Sequence, residues 1–125
     1  MIRVCLAGPA VTNDHALVRA LEAHHDVDLV ADPRGLDRSA VIALSDVLVL
    51  DAGGLRAMLP PLLRALRLRR PELPIVLVDG SLSEHDKADA FSLGVLDYFP
   101  APCHVGLLVE RLQVLARTRG VPRAM

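Results

Sequence analysis

The stretch DVLVLDAGG, Asp46 to Gly54, decides how this chain is read. Val47, Leu48, Val49 and Leu50 lack the polar alternation of a half-exposed strand, which is the pattern of a strand buried on both faces of a parallel sheet. The run ends on Asp51, so a carboxylate stands at a strand's carboxyl end, where open α/β sheets place ligands and chemistry. The same carboxylate could equally serve the turn, accepting backbone N–H groups near Gly53 and Gly54 to cap the following helix.

Outward from this strand the pattern repeats. Apolar runs at 2–7 (IRVCLA), 27–31 (VDLVA), 74–79 (PIVLVD) and 95–99 (VLDYF) read as four more strands. Segments of helical period lie between them. Residues 13–24 place Ala16, Leu17, Ala20 and Leu21 on one face, with Asn13 or Asp14 as cap. Residues 36–44 form a weaker helix, and 55–69 a longer one with Pro60 and Pro61 in its first turn or at a bend. Ser83 caps the next, with Asp86 three residues on, and Gly94 closes it. Residues 104–119 turn Val105, Leu108, Leu112 and Leu115 inward. Five strands and five helices in alternation predict an α/β domain over residues 1–118, a doubly wound parallel sheet covered on both faces. Residues 119–125 read as a linker stub or C-terminal tail.

Composition narrows the function. The chain has 125 residues, of which 52% are hydrophobic, with a mean hydropathy of +0.37. A domain of this size buries roughly two-thirds of its unfolded surface and needs no staples. No apolar run approaches the roughly 18 residues of a membrane span. The N-terminus is broken by Gly8 and Pro9 too early for a secretory signal, so a cytoplasmic protein is expected. Cys5 and Cys103 then read as reduced thiols, and no Cys/His spacing suggests a metal. With 14 basic and 15 acidic residues, net −1, no field argues for direct nucleic-acid binding. Aromatic residues make up only 2%, which leaves no stacking platform for bases. His15 reads as surface, His24 and His25 as a solvated pair ending the first helix, and RALRLRR (64–70) as a solvated basic face near a helix's negative end. No Ser/His/Asp or Cys/His set suggests an enzyme, and no GxGxxG or P-loop suggests a dinucleotide or nucleotide cofactor.

Several details converge on one family. DVLVLD, PIVLV, LGVLDYFPAP (93–102) and the terminal helix together resemble the receiver domain of two-component response regulators, across residues 2–118. The segment 14–32 is similar to receivers that precede a LuxR-type DNA-binding domain. The resemblance implies a flavodoxin-like sheet of strand order 2-1-3-4-5, with the functional pocket at the strands' carboxyl ends. It places Asp51 at the phosphoacceptor position and Tyr98 at the switch aromatic. It also implies a cis peptide before Pro102.

The rest of that machinery is altered. The acidic pair that would hold Mg²⁺ is replaced by Gly8 and Pro9, the hydroxyl position after the fourth strand by Asp79, and the lysine position by Ala101. The loop after Asp51 lacks the family's Met-Pro and later Gly. Phosphoryl transfer is catalysed by positioning and electrostatics, so these losses matter. Adjacent strands lie about 4.8 Å apart, so Asp79 is expected to crowd a phosphoryl group on Asp51. Two like charges at 4 Å repel by about 4 kcal/mol at an effective dielectric of 20. Arg56 and His104 are candidates to compensate, and a Tyr98 hydroxyl bond to Asp79 is a candidate lock on the aromatic.

The expected function is therefore a pseudo-receiver, a phosphorylation-independent interaction module that dimerises or controls a DNA-binding output domain in transcription regulation. Two alternatives stay open. Asp51 could still accept phosphate from a histidine kinase, or the glycines at Gly8, Gly53, Gly54 and Gly80 could line a small-molecule pocket.

Overall fold

In the computed structural model each apolar run becomes one short strand: β1 (Arg3–Ala7), β2 (Asp26–Val30), β3 (Val47–Asp51), β4 (Ile75–Asp79) and β5 (Asp97–Pro100). The structure describes the backbone of residues 1–120 and the side chains of residues 1–117. The strands form one parallel sheet in the order 2-1-3-4-5, a flavodoxin-like arrangement. Every residue of β3 and β4 is buried, which is why these runs carry no polar alternation. β2, on the sheet's edge, is mostly half-exposed.

Side chains alternate between two cores. Cys5, Ala7, Leu48, Leu50, Ile75 and Leu77 face one side, where α3 (Ala40–Leu44), α4 (Leu59–Arg69) and α5 (Glu84–Ser92) cover them. Val4, Leu6, Val47, Val49, Val76 and Val78 face the other. There α1 (Pro9–Thr12), α2 (His15–Glu22) and α6 (Val105–Gly120) complete the layer, with Leu17, Leu21, Leu108 and Leu112 fully buried.

Among the described residues there are six helices rather than five, because a short extra helix at Pro9–Thr12 precedes the one expected at 13–24, which forms at His15–Glu22. Pro9 occupies the opening position of α1, where its missing N–H costs nothing, and Asp14 then caps α2 by accepting the Leu17 N–H at 3.1 Å. The weak helix at 36–44 divides into a 3₁₀ turn, Leu36–Arg38, and α3, capped by Ser39. Pro60 and Pro61 sit in the first turn of α4, behind a 3₁₀ turn at Arg56–Met58. Ser83 caps α5 through the Asp86 N–H, and Gly94 closes it at φ 91°. Of the tail expected at 119–125, Arg119 and Gly120 continue α6, and 121–125 lie outside the described residues.

The basic run at the end of α4 does more than face solvent. Arg67 donates to the carbonyls of Leu93 and Gly94, Arg69 to those of Asp37 and Ser39, and Arg70 to those of Ile42 and Ser45. These guanidinium groups bond carbonyls at helix ends and turns. Among the described residues no helix is long and apolar enough to cross a membrane.

Candidate functional site

The carboxyl ends of β1, β3 and β4 bring Gly8, Pro9, Asp51 and Asp79 to one edge of the sheet. Asp51 is buried, 6% exposed, and both of its oxygens are engaged by backbone. Oδ1 accepts the Gly53 N–H at 2.9 Å, and Oδ2 accepts the Ala10 N–H at 2.8 Å. The turn role open in the sequence is thus performed by one oxygen. The second ties β3 to the start of α1, a contact across 41 positions that no local motif signals. Charge-assisted bonds to N–H groups of this kind are among the stronger ones available to a carboxylate.

Gly8 has φ 102° and ψ 154°, a conformation that essentially only glycine adopts. A Cβ at this position would lie 2.5 Å from the Asp51 Cβ and 3.1 Å from Oδ2. Any side chain here, a carboxylate included, would displace Asp51.

Asp79 is also buried, 5% exposed. Its Oδ1 accepts the Ser81 N–H at 2.9 Å and the Ser81 hydroxyl at 3.2 Å. The register pairs Asp51 with Val78, so Asp51 extends the Val47, Val49 side of β3 while Asp79 extends the Ile75, Leu77 side of β4. Gly53 stands between the two, its Cβ position 3.1 Å from Asp51 Oδ1 and 3.8 Å from Asp79 Oδ1. The carboxylates share no hydrogen-bond partner and open on different cavities. Asp51 lines a cleft with Pro9, Asp32, Arg34 and Gly54. Asp79 lines a cavity between α4 and α5 with Gly53, Arg56 and Ser81. Arg34 is committed to Asp32 through three bonds and, as the principal cause, holds that carboxyl at about 2.

The candidate compensators fall elsewhere. Arg56 adopts φ 48°, a left-handed conformation uncommon outside glycine, and is exposed at the rim of the Asp79 cavity. His104 Nδ1 accepts the Leu107 N–H at 3.2 Å, capping α6.

Tyr98 is half-buried against the α4/α5 core. Its hydroxyl donates at 2.7 Å to the main-chain carbonyl of Asp79, so the partner residue is the expected one but the acceptor is backbone. That carbonyl also accepts the Ala101 N–H at 3.0 Å. Lys87 Nζ lies 4.7 Å from the centre of the Tyr98 ring, a cation–π contact that the sequence did not suggest. Ala101–Pro102 is cis, and a Cβ on Gly80 would meet the Ala101 carbonyl oxygen at 3.2 Å.

His25 departs from its expected solvated place. It is 8% exposed, and its Nδ1 accepts the Ile2 N–H at 3.3 Å. The turn into β2, fixed by the Asp26 N–H bond to the Ile2 carbonyl, tucks the ring under the start of β1. Its Nε2 is buried without a partner, and burial is the leading cause that lowers its pKa. Cys5 is buried and Cys103 half-buried, both free, and burial pushes the Cys5 thiol up to about 12. Among the described residues no three His, Cys, Asp or Glu side chains gather as a metal site.

No protein-family model matches the chain. The virulence transcriptional regulatory protein PhoP of Shigella flexneri is 30% identical over 113 residues, covering 86% of this chain and 48% of that protein. The protein of the same name from Salmonella typhi is 28% identical over the same length. The chain spans about half the length of these curated relatives. Among solved structures, the receiver domain of the Francisella response regulator 1452 superposes with a TM-score of 0.78 at 20% identity, covering 95% of this chain and 99% of that one. A two-component response regulator from Clostridium difficile gives 0.78 at 18%, covering 96% and 99%. The solved structures share the fold. By these findings the chain belongs to the response-regulator receiver-domain family of two-component signalling.

Proposed function

We propose that this receiver is a pseudo-receiver, which signals through protein contacts without phosphorylation of Asp51. The observation that carries the reading is the enclosure of the Asp51 carboxylate. Both oxygens are held by the Ala10 and Gly53 N–H groups, and Gly8 is packed so tightly that no metal-binding carboxylate fits there. A phosphoryl group would have to displace one of those bonds with neither Mg²⁺ nor the family's lysine to offset its charge, because Ala101 stands at the lysine position.

Residues 1–118 are the proposed signalling module, acting in the cytoplasm. Its proposed output is a DNA-binding domain, by analogy with the transcriptional regulators that are twice its length. Phe91 in α5, Leu96 before β5 and Leu107 in α6 are large exposed apolar side chains around the β5 edge. They are the proposed contact for that domain or for a second copy of the chain. Tyr98, bonded to Asp79 and covered by Lys87, is proposed to hold this surface in one state.

Titration of ¹⁵N-labelled protein with Mg²⁺ and then beryllofluoride, a phosphoryl mimic, tests the reading. Unmoved amides at Gly8, Ala10 and Gly53 are expected. Saturable shifts there would instead support Asp51 as a working phosphoacceptor, the second reading, which is favoured by one observation: Asp51 lines a cleft reachable from solvent.

A further inference from the structure

The cavity between α4 and α5 has a volume of about 240 Å³, just below the roughly 300–1,000 Å³ of pockets for drug-sized ligands. Its lining is mixed, and Leu59, Leu63, Leu82, Ala90 and Leu93 form its apolar part. At its inner end lies Asp79, 95% removed from solvent by its 5% exposure. Ser81 satisfies Oδ1 alone. Among the described residues Oδ2 receives no hydrogen bond, and no Lys, Arg or His forms an ion pair with this carboxylate. Oδ2 is not among the buried polar atoms that lack a partner, so it is reachable from solvent, and a group that brings it both a hydrogen bond and a counter-charge would bind there favourably.

We propose that this cavity binds a small organic cation, an alkylammonium or alkylguanidinium, with its charged head on Asp79 and its carbon chain against Leu63, Leu82 and Leu93. The balance of charge at the cavity favours a cation: Asp79, Asp86 and Asp89 line it against Arg56 alone. Asp89 is already met by His85 at 3.4 Å, whereas Asp86 is exposed and forms no ion pair among the described residues. An organic cation suits these walls better than a hydrated metal ion, since a metal needs several oxygen ligands and gains nothing from leucine. The main-chain carbonyl of Asp79 holds both Tyr98 and Ala101. A ligand on the Asp79 carboxylate therefore stiffens the strand end on which the aromatic is seated. The proposal goes beyond the pseudo-receiver reading and does not depend on it.

The test is an amide-shift titration of the whole chain with n-butylammonium, with n-butanol and Mg²⁺ in parallel, on wild type, Asp79→Asn and Ala90→Leu. Expected are saturable shifts at Ser81, Leu82 and Ala90 with butylammonium in the millimolar to tens-of-millimolar range. Binding should weaken at least tenfold in Asp79→Asn and disappear in Ala90→Leu, which fills the cavity without changing charge. No saturation in wild type, equal binding by butanol, or the same shifts with Mg²⁺ would each overturn the proposal. So would undiminished binding in Asp79→Asn or, if that variant does not fold, in Ala90→Leu. Gly53 lines this cavity and can respond in either titration, so Gly8 and Ala10, which do not line it, are the amides that separate this outcome from that of the phosphoryl mimic.

Discussion

Gly8 and Asp51 are packed in such close approach that a Cβ on Gly8 would stand 2.5 Å from the Asp51 Cβ. The Gly8 backbone, at φ 102°, independently excludes an ordinary side chain. Backbone strain of roughly 1–3 kcal/mol and overpacking of similar size together predict that Gly8→Ala loses about 2–5 kcal/mol. Urea unfolding monitored by circular dichroism measures this. Gly8→Asp, which restores an acidic residue at that position, should be at least as destabilised and gain no Mg²⁺ affinity. An unchanged midpoint for Gly8→Ala would show that Asp51 moves aside freely.

Asp51 is predicted to be a structural residue as its side chain is bonded in this fold. Removing it leaves the Ala10 and Gly53 N–H groups without acceptors at about 1–3 kcal/mol each when buried. Asp51→Ala should therefore lose roughly 2–6 kcal/mol by the same reasoning, whereas Asp51→Asn keeps one acceptor and should lose less. Equal stability of all three proteins in denaturant melts would assign the carboxylate no part in holding β3 to α1.

Tyr98→Phe removes the hydroxyl bond to the Asp79 carbonyl, and the loss expected is about 0.5–1.5 kcal/mol. Lys87→Met removes the charge over the ring, a contact valued at about 0.5–1 kcal/mol where exposed. The two changes act on one aromatic, so their effects should not add, and a double-mutant cycle by calorimetry reads the coupling. Additive losses, or a Tyr98→Phe protein of wild-type stability, would mean that the ring is not fixed by these contacts.

His25 predicts the direction of a pH effect. Its pKa in the fold is lowered from 6.5, so the unfolded chain takes up the proton first on acidification. Stability from this group is complete above the unfolded pKa of 6.5 and is lost as pH falls through the lowered folded value. Unfolding free energies measured on either side of that pH should show the decline, reduced in His25→Asn. A variant that keeps the full decline would place its origin in other groups.

The sequence by itself determined the sheet and most of its punctuation. Runs without polar alternation, such as Val47 to Leu50, are legible because burial on both faces leaves no position for a polar residue. Ser83 with Asp86, Pro60 with Pro61, and Gly94 are legible because helix starts and stops depend on residues within a turn of one another. The same locality is under-read at Pro9, which in the sequence reads only as a break in the first apolar run, although a proline also suits the first position of a helix and here opens α1.

What only the tertiary structure decided depends on residues distant in the chain. The Ala10 N–H reaches Asp51 because β1 and β3 are neighbours, and nothing near Asp51 in sequence indicates that its second oxygen is occupied. His25 lies in the turn between α2 and β2, a place where a histidine ordinarily meets water, yet the bond of the Asp26 N–H to the Ile2 carbonyl carries its ring beneath β1. The register of β3 on β4 sends Asp51 and Asp79 into separate cavities, although sequence placed both at adjacent strand ends. Local pattern fixes which face of an element is buried. Which polar atoms meet at the sheet's edge follows from pairing and register, which are set only when the strands assemble.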